Sequence, residues 1–336
     1  MSEATRKSWR RTTKFFQAPS LLVISCFLIS SSSRVSFIER FYTGKPTKII
    51  IALYGVLERP RGCAYNATVE NVVKRVTVNY SIPHEYVTIA IRPSLEAYEI
   101  DGVTMSVNEA RRWRMLYNSS YAEEYIAEDI DAILRREHGS RKYDNLSTSI
   151  YSKPFWRADY TETMIQNSLR MLFAEDRLSK RLALEDDGTV AVVFSADIVL
   201  NRPIDPIDVQ RAYVRSDVVY LTANNDADGY TDGFYVGHAH AVSKILSSLQ
   251  HLRSYANSGI MNNDYERILK TTFQKVRISR RVLNTFGRVM HDFIKVRASG
   301  DIFASISCQT RSLVDQSFCP KLLKIHCFDD ESPTSD

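Results

Sequence analysis

Acidic residues follow two strand-like stretches in the middle of the chain. Asp197 comes shortly after the apolar, β-branched run 190–194. A second apolar run is followed by three more carboxylates: Asp226, Asp228 and Asp232. Carboxylates just beyond the ends of buried strands lie where an α/β sheet places its ligand chemistry, and clustered oxygen ligands suit Mg²⁺ or Mn²⁺. The pattern predicts a metal-assisted site; a solvated turn is the alternative, since Asp, Asn and Gly are common turn residues.

Apolar runs predict the strands that would carry these residues. The run 49–55 is continuously apolar, which indicates a strand buried on both faces, and Gly55 at its end would let a ligand approach the backbone. Valines on one helical face and a second strand follow, so the chain opens as β-α-β. Further strands are predicted at these positions: 86–91, 190–194, 218–221, 233–237 and, as the last, within 291–297. This order predicts one α/β domain with a mostly parallel sheet flanked by helices.

Periodic apolar residues predict the helices between these strands. Four are expected in addition to the first: 119–136, 159–175, 239–256 and 262–273. Met164 is expected on the inward face of the second of these, and Asn262 or Asn263 is expected to cap the last. Residues 93–118 read as loop and short helix. His238 and His240 are interpreted as a loop–helix junction, with substrate contact as the alternative.

Charge and motifs exclude several classes of protein. Residues 1–48 contain nine Lys/Arg and two Glu, so their net charge is +7. Because the net charge of the whole chain is +5, the remainder carries −2. A nearly neutral body argues against a nucleic-acid-binding surface. The sequence has no G-x-G-x-x-G after the first strand and no P-loop, which disfavours a dinucleotide-binding fold of the usual kind and a P-loop NTPase.

The N-terminus has the order of a secretory segment. A basic tail, residues 1–16, precedes an apolar signal anchor or signal peptide, 17–33, and a stem, 34–46. An uncleaved anchor would give a type II protein of the Golgi or ER membrane with a lumenal body; a secreted or organelle-targeted protein is the alternative. Four glycosylation sequons follow, at Asn66, Asn79, Asn118 and Asn145. Four cysteines after the apolar run allow two disulfides in three connectivities: Cys63, Cys308, Cys319 and Cys327.

Six segments in this order resemble the GT-A type nucleotide-diphospho-sugar transferases, particularly uncharacterised glycosyltransferase-like proteins of algae and large viruses. They are IIIALYGVLER, TETMIQNSLRMLF, VVFSADIVLNRPID, DGYTDGFYVGHAHAV, NNDYERILKTTF and DFIKVRASGD. The resemblance implies a GT-A-like domain over residues 47–305, followed by a C-terminal tail, 306–336. It also implies a nucleotide-diphospho-sugar donor, a glycan or protein acceptor, and a divalent cation held against the diphosphate by a D-x-D-type motif.

The resemblance also assigns roles to residues. Asp197 is the first choice for the metal and donor site, although Ser195 stands where the family has its first Asp. The metal site is therefore either a single carboxylate or displaced to Asp226 and Asp228.

The remaining roles concern the nucleotide and the acceptor. Gly55 and Arg59 would lie near the nucleotide, and Tyr54 is either a stacking partner for the base or a core residue. Asp232 is the predicted catalytic base, with Glu266 as a second candidate. Two other functions stay open: a non-catalytic glycan- or partner-binding protein of the same fold, and, ranked last, a hydrolase with paired carboxylates.

Overall fold

The computed structural model describes fourteen stretches of the chain. These are residues 45–57, 68–79, 81–92, 98–100, 103–105, 119–138, 150–151, 153–200, 203–222, 229–230, 232–285, 289–290, 293–296 and 302–304. The predicted basic tail, anchor and C-terminal tail lie outside these residues, as do all five cysteines and three of the four sequons; Asn79 alone is included. Among the described residues, no helix combines the length and the apolar character needed to cross a bilayer.

A seven-stranded mixed sheet forms the centre of the described structure. Its strands are β1 (Lys48–Gly55), β2 (His84–Arg92), β5 (Tyr121–Ile126), β6 (Thr189–Ser195), β8 (Val218–Leu221), β9 (Phe234–His238) and β10 (Ser279–Val282). They are ordered β10-β8-β9-β6-β1-β2-β5. All neighbours pair in parallel except β9, which is antiparallel to both β6 and β8. The α/β class and the mostly parallel sheet are confirmed.

Shorter strands form three small sheets beside the central one. Two antiparallel pairs are β3 (Tyr98–Ile100) with β4 (Val103–Met105), and β11 (Asn284–Thr285) with β12 (Val289–Met290). A third sheet joins β7 (Ile198–Leu200), β13 (Phe293–Val296) and β14 (Ile302–Ala304). The predicted strand within 291–297 is therefore confirmed as β13, but it is not the last strand. The prediction of loop and helix for 93–118 missed the β3–β4 pair.

Helices cover both faces of the central sheet. They are α1 (Lys74–Asn79, preceded by a π-helical turn, Val69–Val73), α2 (Ala127–His138), α3 (Glu162–Leu182), α4 (Pro206–Val214), α5 (Ala239–Leu246), α6 (Ser248–Asn257) and α7 (Tyr265–Val276). Alternate residues of the strands supply two cores, because side chains of a strand point to opposite faces. One core packs against α2, α3, α5, α6 and α7, and the other packs against α1 and α4.

The prediction of one helix over 119–136 was wrong in its first part. Residues 121–126 form β5, and only from Ala127 onward does the chain become helical. Ala and Glu favour helix locally, but the open edge of β2 offers a parallel ladder, and tertiary pairing overrides propensity. Tyr121 and Tyr125 lie on one face of the strand, where both hydroxyls donate to Glu123.

Three other helix predictions needed correction at their ends or middle. Helix α3 begins later and runs further than 159–175, with Thr161 as its N-cap, and Met164 is 44% exposed rather than inward. The stretch 239–256 is two helices that meet at Ser247, whose hydroxyl donates to the Lys244 carbonyl (2.7 Å). Serine side chains compete with the helical backbone in this way.

The last of these helices begins three residues later than predicted, at Tyr265. Helix α7 is capped by Asp264, whose carboxylate accepts from the Arg267 N–H (2.8 Å), and not by Asn262 or Asn263. Asn262 has left-handed backbone (φ +58°), and the Asn263 amide is used to donate to the Phe155 carbonyl (2.9 Å). A carboxylate at the N-cap also suits the positive end of the helix.

Candidate functional site

The strand order reverses between β1 and β6. From β1 the chain moves through β2 and β5 on one side, and it then returns to β6 on the other side of β1. In open α/β sheets, ligands bind outside the carboxyl ends of the strands at such a reversal. Gly55 ends β1 and Ser195 ends β6, and Tyr54 is opposite Ser195 in the ladder. We call the edge formed by Gly55, Ser195, Asp197, Asp232 and Gly233 the switch-point crevice.

Two glycines with left-handed backbone lie on either side of Ser195. Gly55 has φ +106° and Gly233 has φ +88°. A Cβ on Gly55 would lie 3.7 Å from Ser195 Oγ, and a Cβ on Gly233 would lie 3.6 Å from Ser195 Cβ and 2.1 Å from Ile198 Cδ1. Residues with side chains rarely adopt this backbone, so both positions favour glycine for conformation, and a Cβ at Gly233 would also displace the end of the Ile198 side chain.

Backbone hydrogen bonds hold the chain after β6 in place. The Ser195 N–H donates to the Gly233 carbonyl (2.7 Å), and the Ala196 N–H donates to the Tyr54 carbonyl (2.9 Å). The turn that leads to Asp197 is therefore fixed between the end of β1 and the start of β9. Because β9 is antiparallel, its first residues lie at the same edge as the last residues of β1 and β6.

Asp197 and Asp232 are both brought to this edge. The Ser195 hydroxyl donates to Asp197 Oδ1 (2.7 Å), so it orients the carboxylate from the position where a first Asp was expected. Asp197 is half-buried, and Asp232 directly precedes Gly233. The structure thus joins three predicted site residues, Gly55, Asp197 and Asp232, at one edge of the sheet. Arg59, Asp226 and Asp228 lie outside the described residues.

A buried acid that the sequence analysis missed lies beneath the crevice. Glu175 of α3 is fully buried, and its Oε1 accepts hydrogen bonds from the hydroxyls of Tyr54 (2.8 Å) and Tyr235 (2.9 Å). We call Tyr54, Glu175, Tyr235 and Tyr265 the tyrosine–Glu175 cluster, since burial and the nearby Glu175 carboxylate both raise the pKa of the Tyr265 hydroxyl. Tyr54 is consequently a core residue, and the alternative of stacking on a base is not what its side chain does here.

The electrostatics of this cluster favour a neutral carboxyl group. Burial raises the pKa of Glu175 to about 7; the nearby hydroxyls of Tyr265, Tyr54 and Tyr235 oppose this shift, and the negative charge of Asp232 adds to it. Burial also raises the pKa of Tyr54 and Tyr235 well above the usual value for tyrosine, and Asp232 contributes to both shifts. Asp232 is therefore close enough for its charge to act on the whole cluster.

Glu266 occupies the first turn of α7, next to Tyr265 of the cluster. Its carbonyl accepts from the Tyr230 N–H (3.0 Å), and a Cβ on Gly229 would lie 2.3 Å from Glu266 Cβ. Its charge contributes to the raised pKa of Tyr160. Glu266 is thus surrounded by α7 itself and by residues 229–230, which pack on this helix.

The two histidines lie at the opposite edge of the sheet. His238 ends β9, and its Nε2 is 2.6 Å from the Asp187 carbonyl oxygen; His240 Nε2 is 3.7 Å from the Asp187 carboxylate. The interpretation as a junction is supported, although it joins a strand to a helix. Within the described part of the chain, no three His, Cys, Asp or Glu side chains form a group that could hold a metal ion.

Comparison with known proteins adds no family to this geometry. The chain matches no protein-family model, and a search of curated proteins found no similar sequence.

Proposed function

We propose that this chain is a GT-A type glycosyltransferase. It would move a sugar from a nucleotide-diphospho-sugar to a glycan or protein acceptor, with help from a divalent cation. The observation that carries the proposal is the switch-point crevice, where Gly55, Asp197 and Asp232 meet at the carboxyl ends of parallel strands. A sheet with its reversal at this point is a frame for nucleotide binding, and the acidic residues supply the chemistry that transfer requires.

Asp197 is suited to hold the cation. Mg²⁺ is usually bound through one or two carboxylates together with substrate phosphates, so one carboxylate oriented by Ser195 fits this need. Asp226 and Asp228 remain proposed as further ligands. The cation would supply charge neutralisation for the leaving diphosphate. Gly55 leaves room for the nucleotide, and Arg59 is proposed as a phosphate partner.

Asp232 is proposed as the base that takes the proton of the acceptor hydroxyl. Its position at the start of β9 places it across the crevice edge from the end of β1. Glu266 stays a second candidate because it neighbours Tyr265 at the same cluster.

The alternative function is a non-catalytic domain of the same fold that binds a glycan or a protein partner. The observation that favours it is Ser195, which replaces the first carboxylate of a D-x-D motif. For either function, the N-terminal pattern supports attachment to the Golgi or ER membrane with a lumenal body.

The test is turnover of nucleotide sugars by the full chain. A panel of nucleotide sugars is incubated with Mn²⁺ or Mg²⁺, and nucleoside diphosphate release is measured with and without acceptor glycans. We expect one donor to be turned over, and Asp197→Asn to lower kcat/KM about a hundredfold, as loss of one electrostatic group in a site does. Asp187→Asn is the matched control, because its fully exposed carboxylate lies at the opposite edge.

Three results would contradict the proposal or a part of it. Absence of turnover across the panel would exclude the enzyme. Thermal stabilisation by a nucleotide that persists in EDTA, without turnover, would favour the non-catalytic alternative. Equal losses in Asp197→Asn and Asp187→Asn would show that Asp197 is not in the site.

A further inference from the structure

Hydrogen bonds connect Glu175 to the switch-point crevice. The Gly233 N–H donates to Tyr235 Oη (3.3 Å), and the Tyr235 hydroxyl donates to Glu175 Oε1 (2.9 Å). Tyr54 donates to the same oxygen from the end of β1 (2.8 Å). One buried carboxyl group is therefore linked to the peptide that follows Asp232 and to the residue that precedes Gly55.

The groups that face Glu175 come from three elements and one turn. They are Tyr54 of β1, Tyr235 of β9, Tyr265 of α7 and Asp232 before β9. Glu175 forms no ion pair with any described residue. Its Oε2 and the Tyr265 hydroxyl are buried and have no hydrogen-bond partner within the described part of the chain. Such groups are costly to bury, so their presence beneath a candidate site calls for a role there.

Glu175 is fully buried, whereas Asp232 at the crevice is half-buried. Full burial disfavours the charged form of Glu175, and the negative charge of Asp232 disfavours it further. A neutral Glu175 accepts the two tyrosine hydroxyls without placing a second negative charge behind Asp232.

We infer that Glu175 is a positioning residue for Asp232: it fixes Tyr235, and through Tyr235 the Gly233 peptide, so that the Asp232 carboxylate is presented to the acceptor hydroxyl. This inference rests on the proposed function, because it gives Asp232 the role of base. Glu175 itself touches neither donor nor acceptor. Its effect should therefore appear in kcat and in the dependence of kcat on pH, and not in donor binding.

The experiment compares Glu175→Gln and Tyr235→Phe with wild type, using the donor and acceptor identified by the nucleotide-sugar panel. Tyr235→Phe breaks the hydrogen-bonded chain and should lower kcat about tenfold or more, since small misplacements of reacting groups have effects of this size. Donor KM should stay within about twofold. Tyr255→Phe is the matched control, because Tyr255 is also buried and its hydroxyl lies 3.0 Å from Thr272 Oγ1, in another part of the fold.

Glu175→Gln gives a second and different signature. The amide cannot ionise, so kcat should fall about threefold near pH 6, and the ratio of variant to wild-type kcat should rise above about pH 7, where wild type ionises Glu175. Melting temperatures of all variants are measured, and Glu175→Gln carries the test if Tyr235→Phe does not fold.

Coincident pH profiles for wild type and Glu175→Gln would overturn the inference, as would a loss in Tyr235→Phe no larger than that in Tyr255→Phe. In both cases wild type still transfers sugar, so the proposed function stands. If wild type transfers no sugar from any donor, the proposed function and this inference both fall.

Discussion

Helix α3 packs against the central sheet in two regions that differ in how their charged side chains are partnered. Near the carboxyl ends of the parallel strands it presents Glu175, which is surrounded by tyrosine hydroxyls and has no cationic partner among the described residues. Six residues further on it presents Arg181 to the other edge of the sheet, where Arg181 pairs with Glu85 and Glu185. We call Lys48, Glu85, Arg181 and Glu185 the ion-paired cluster.

The ion-paired cluster is arranged as a closed set of contacts. Lys48 lies 2.5 Å from Glu85 and 2.9 Å from Glu185, and Arg181 contacts the same two carboxylates. Although burial raises the pKa of Glu85, the hydrogen bonds and charges of Lys48 and Arg181 outweigh it and lower this pKa below its usual value. Nothing in the cluster is left for a ligand to satisfy, so its role is to tie β1, β2, α3 and the turn before β6 together.

The region around Glu175 has the opposite character. Glu175 Oε2 and Tyr265 Oη are buried and without hydrogen-bond partners in the described part of the chain. Each such group costs about 1–3 kcal/mol of stability. Helix α3 thus joins a closed set of ion pairs at one edge of the sheet and a buried acid without a cation at the other, and we expect the second edge to carry the function.

The largest expected effect comes from breaking the ion-paired cluster. Arg181→Met removes one cation from two carboxylates, of which Glu185 is only 6% exposed. Lys48 then remains as the single cation beside two carboxylates, so the free energy of unfolding, measured by urea denaturation, should fall by about 3 kcal/mol. Arg136→Met is the control, because both members of its pair with Glu137 are exposed (75% and 54%), so its loss should cost less than about 1 kcal/mol. Equal costs would show that this edge is not held by its charges.

The next largest effect is the pH dependence that Glu175 gives to the stability of the protein. Its folded pKa of about 7 is above the ordinary value of 4.5, so the folded state binds the proton more tightly than the unfolded state does. The stabilisation is fully present below about pH 4.5 and is lost as pH rises through 7, by at most about 3 kcal/mol. Glu175→Gln cannot ionise and should lack this loss.

Unfolding by urea at a series of pH values measures the difference between the two proteins. Wild type should lose stability relative to Glu175→Gln as the pH rises from about 4.5 to about 7. A constant difference over this range would mean that Glu175 ionises as an exposed glutamate does.

A smaller effect compares backbone strain at two glycines. Gly55→Ala places a Cβ at φ +106°, in ordinary contact with Met171 Cε at 3.4 Å. Gly259→Ala has φ +72° and meets no atom within 4 Å. We expect losses of about 2 kcal/mol and about 1 kcal/mol respectively in the free energy of unfolding, because φ +106° lies well outside the left-handed region near about +57° that residues with a side chain can adopt, whereas φ +72° lies close to it. Equal losses would mean that Gly55 is no more strained than an ordinary left-handed turn.

Much of the sheet was predictable because its strands are continuous apolar runs. The stretches 49–55, 86–91 and 190–194 became β1, β2 and β6 with shifts of one or two residues at their ends. Strands buried on both faces leave a simple pattern in sequence. Residues 121–126 were not predictable, because an edge strand with Tyr and Glu on one face carries a pattern that local helix propensity outweighs.

The candidate site was predictable only where its residues follow strand ends. Gly55 and Asp197 could be placed from the apolar runs before them. Glu175, in contrast, lies in a helix, and its hydrogen-bond partners Tyr54 and Tyr235 are far from it in sequence. The available signal was an acid three residues after Leu172 on the inward stripe of α3. Its meaning depends on which strands the helix covers, and that is decided by sheet topology rather than by local sequence.

The smallest expected effect concerns Glu123 on β5, whose pKa is lowered where that of Glu175 is raised. Burial raises the pKa of Glu123, but hydrogen bonds from Arg177, Tyr121 and Tyr125 outweigh it and lower the pKa to about 2. The stabilisation is therefore present above the ordinary value near 4.5 and is lost as the pH falls through about 2. Because Arg177 is 34% exposed, solvent screening should reduce the contribution to about 1 kcal/mol.

Glu123→Gln should accordingly be less stable than wild type near neutral pH, and the difference should disappear towards about pH 2. Exposed Glu128, five residues along the same segment, provides the control as Glu128→Gln. Urea denaturation between pH 2 and pH 6 measures both variants. A difference that grows in acid would contradict the assignment, because a paired carboxylate that is charged in the folded state can only lose its advantage when protons are added.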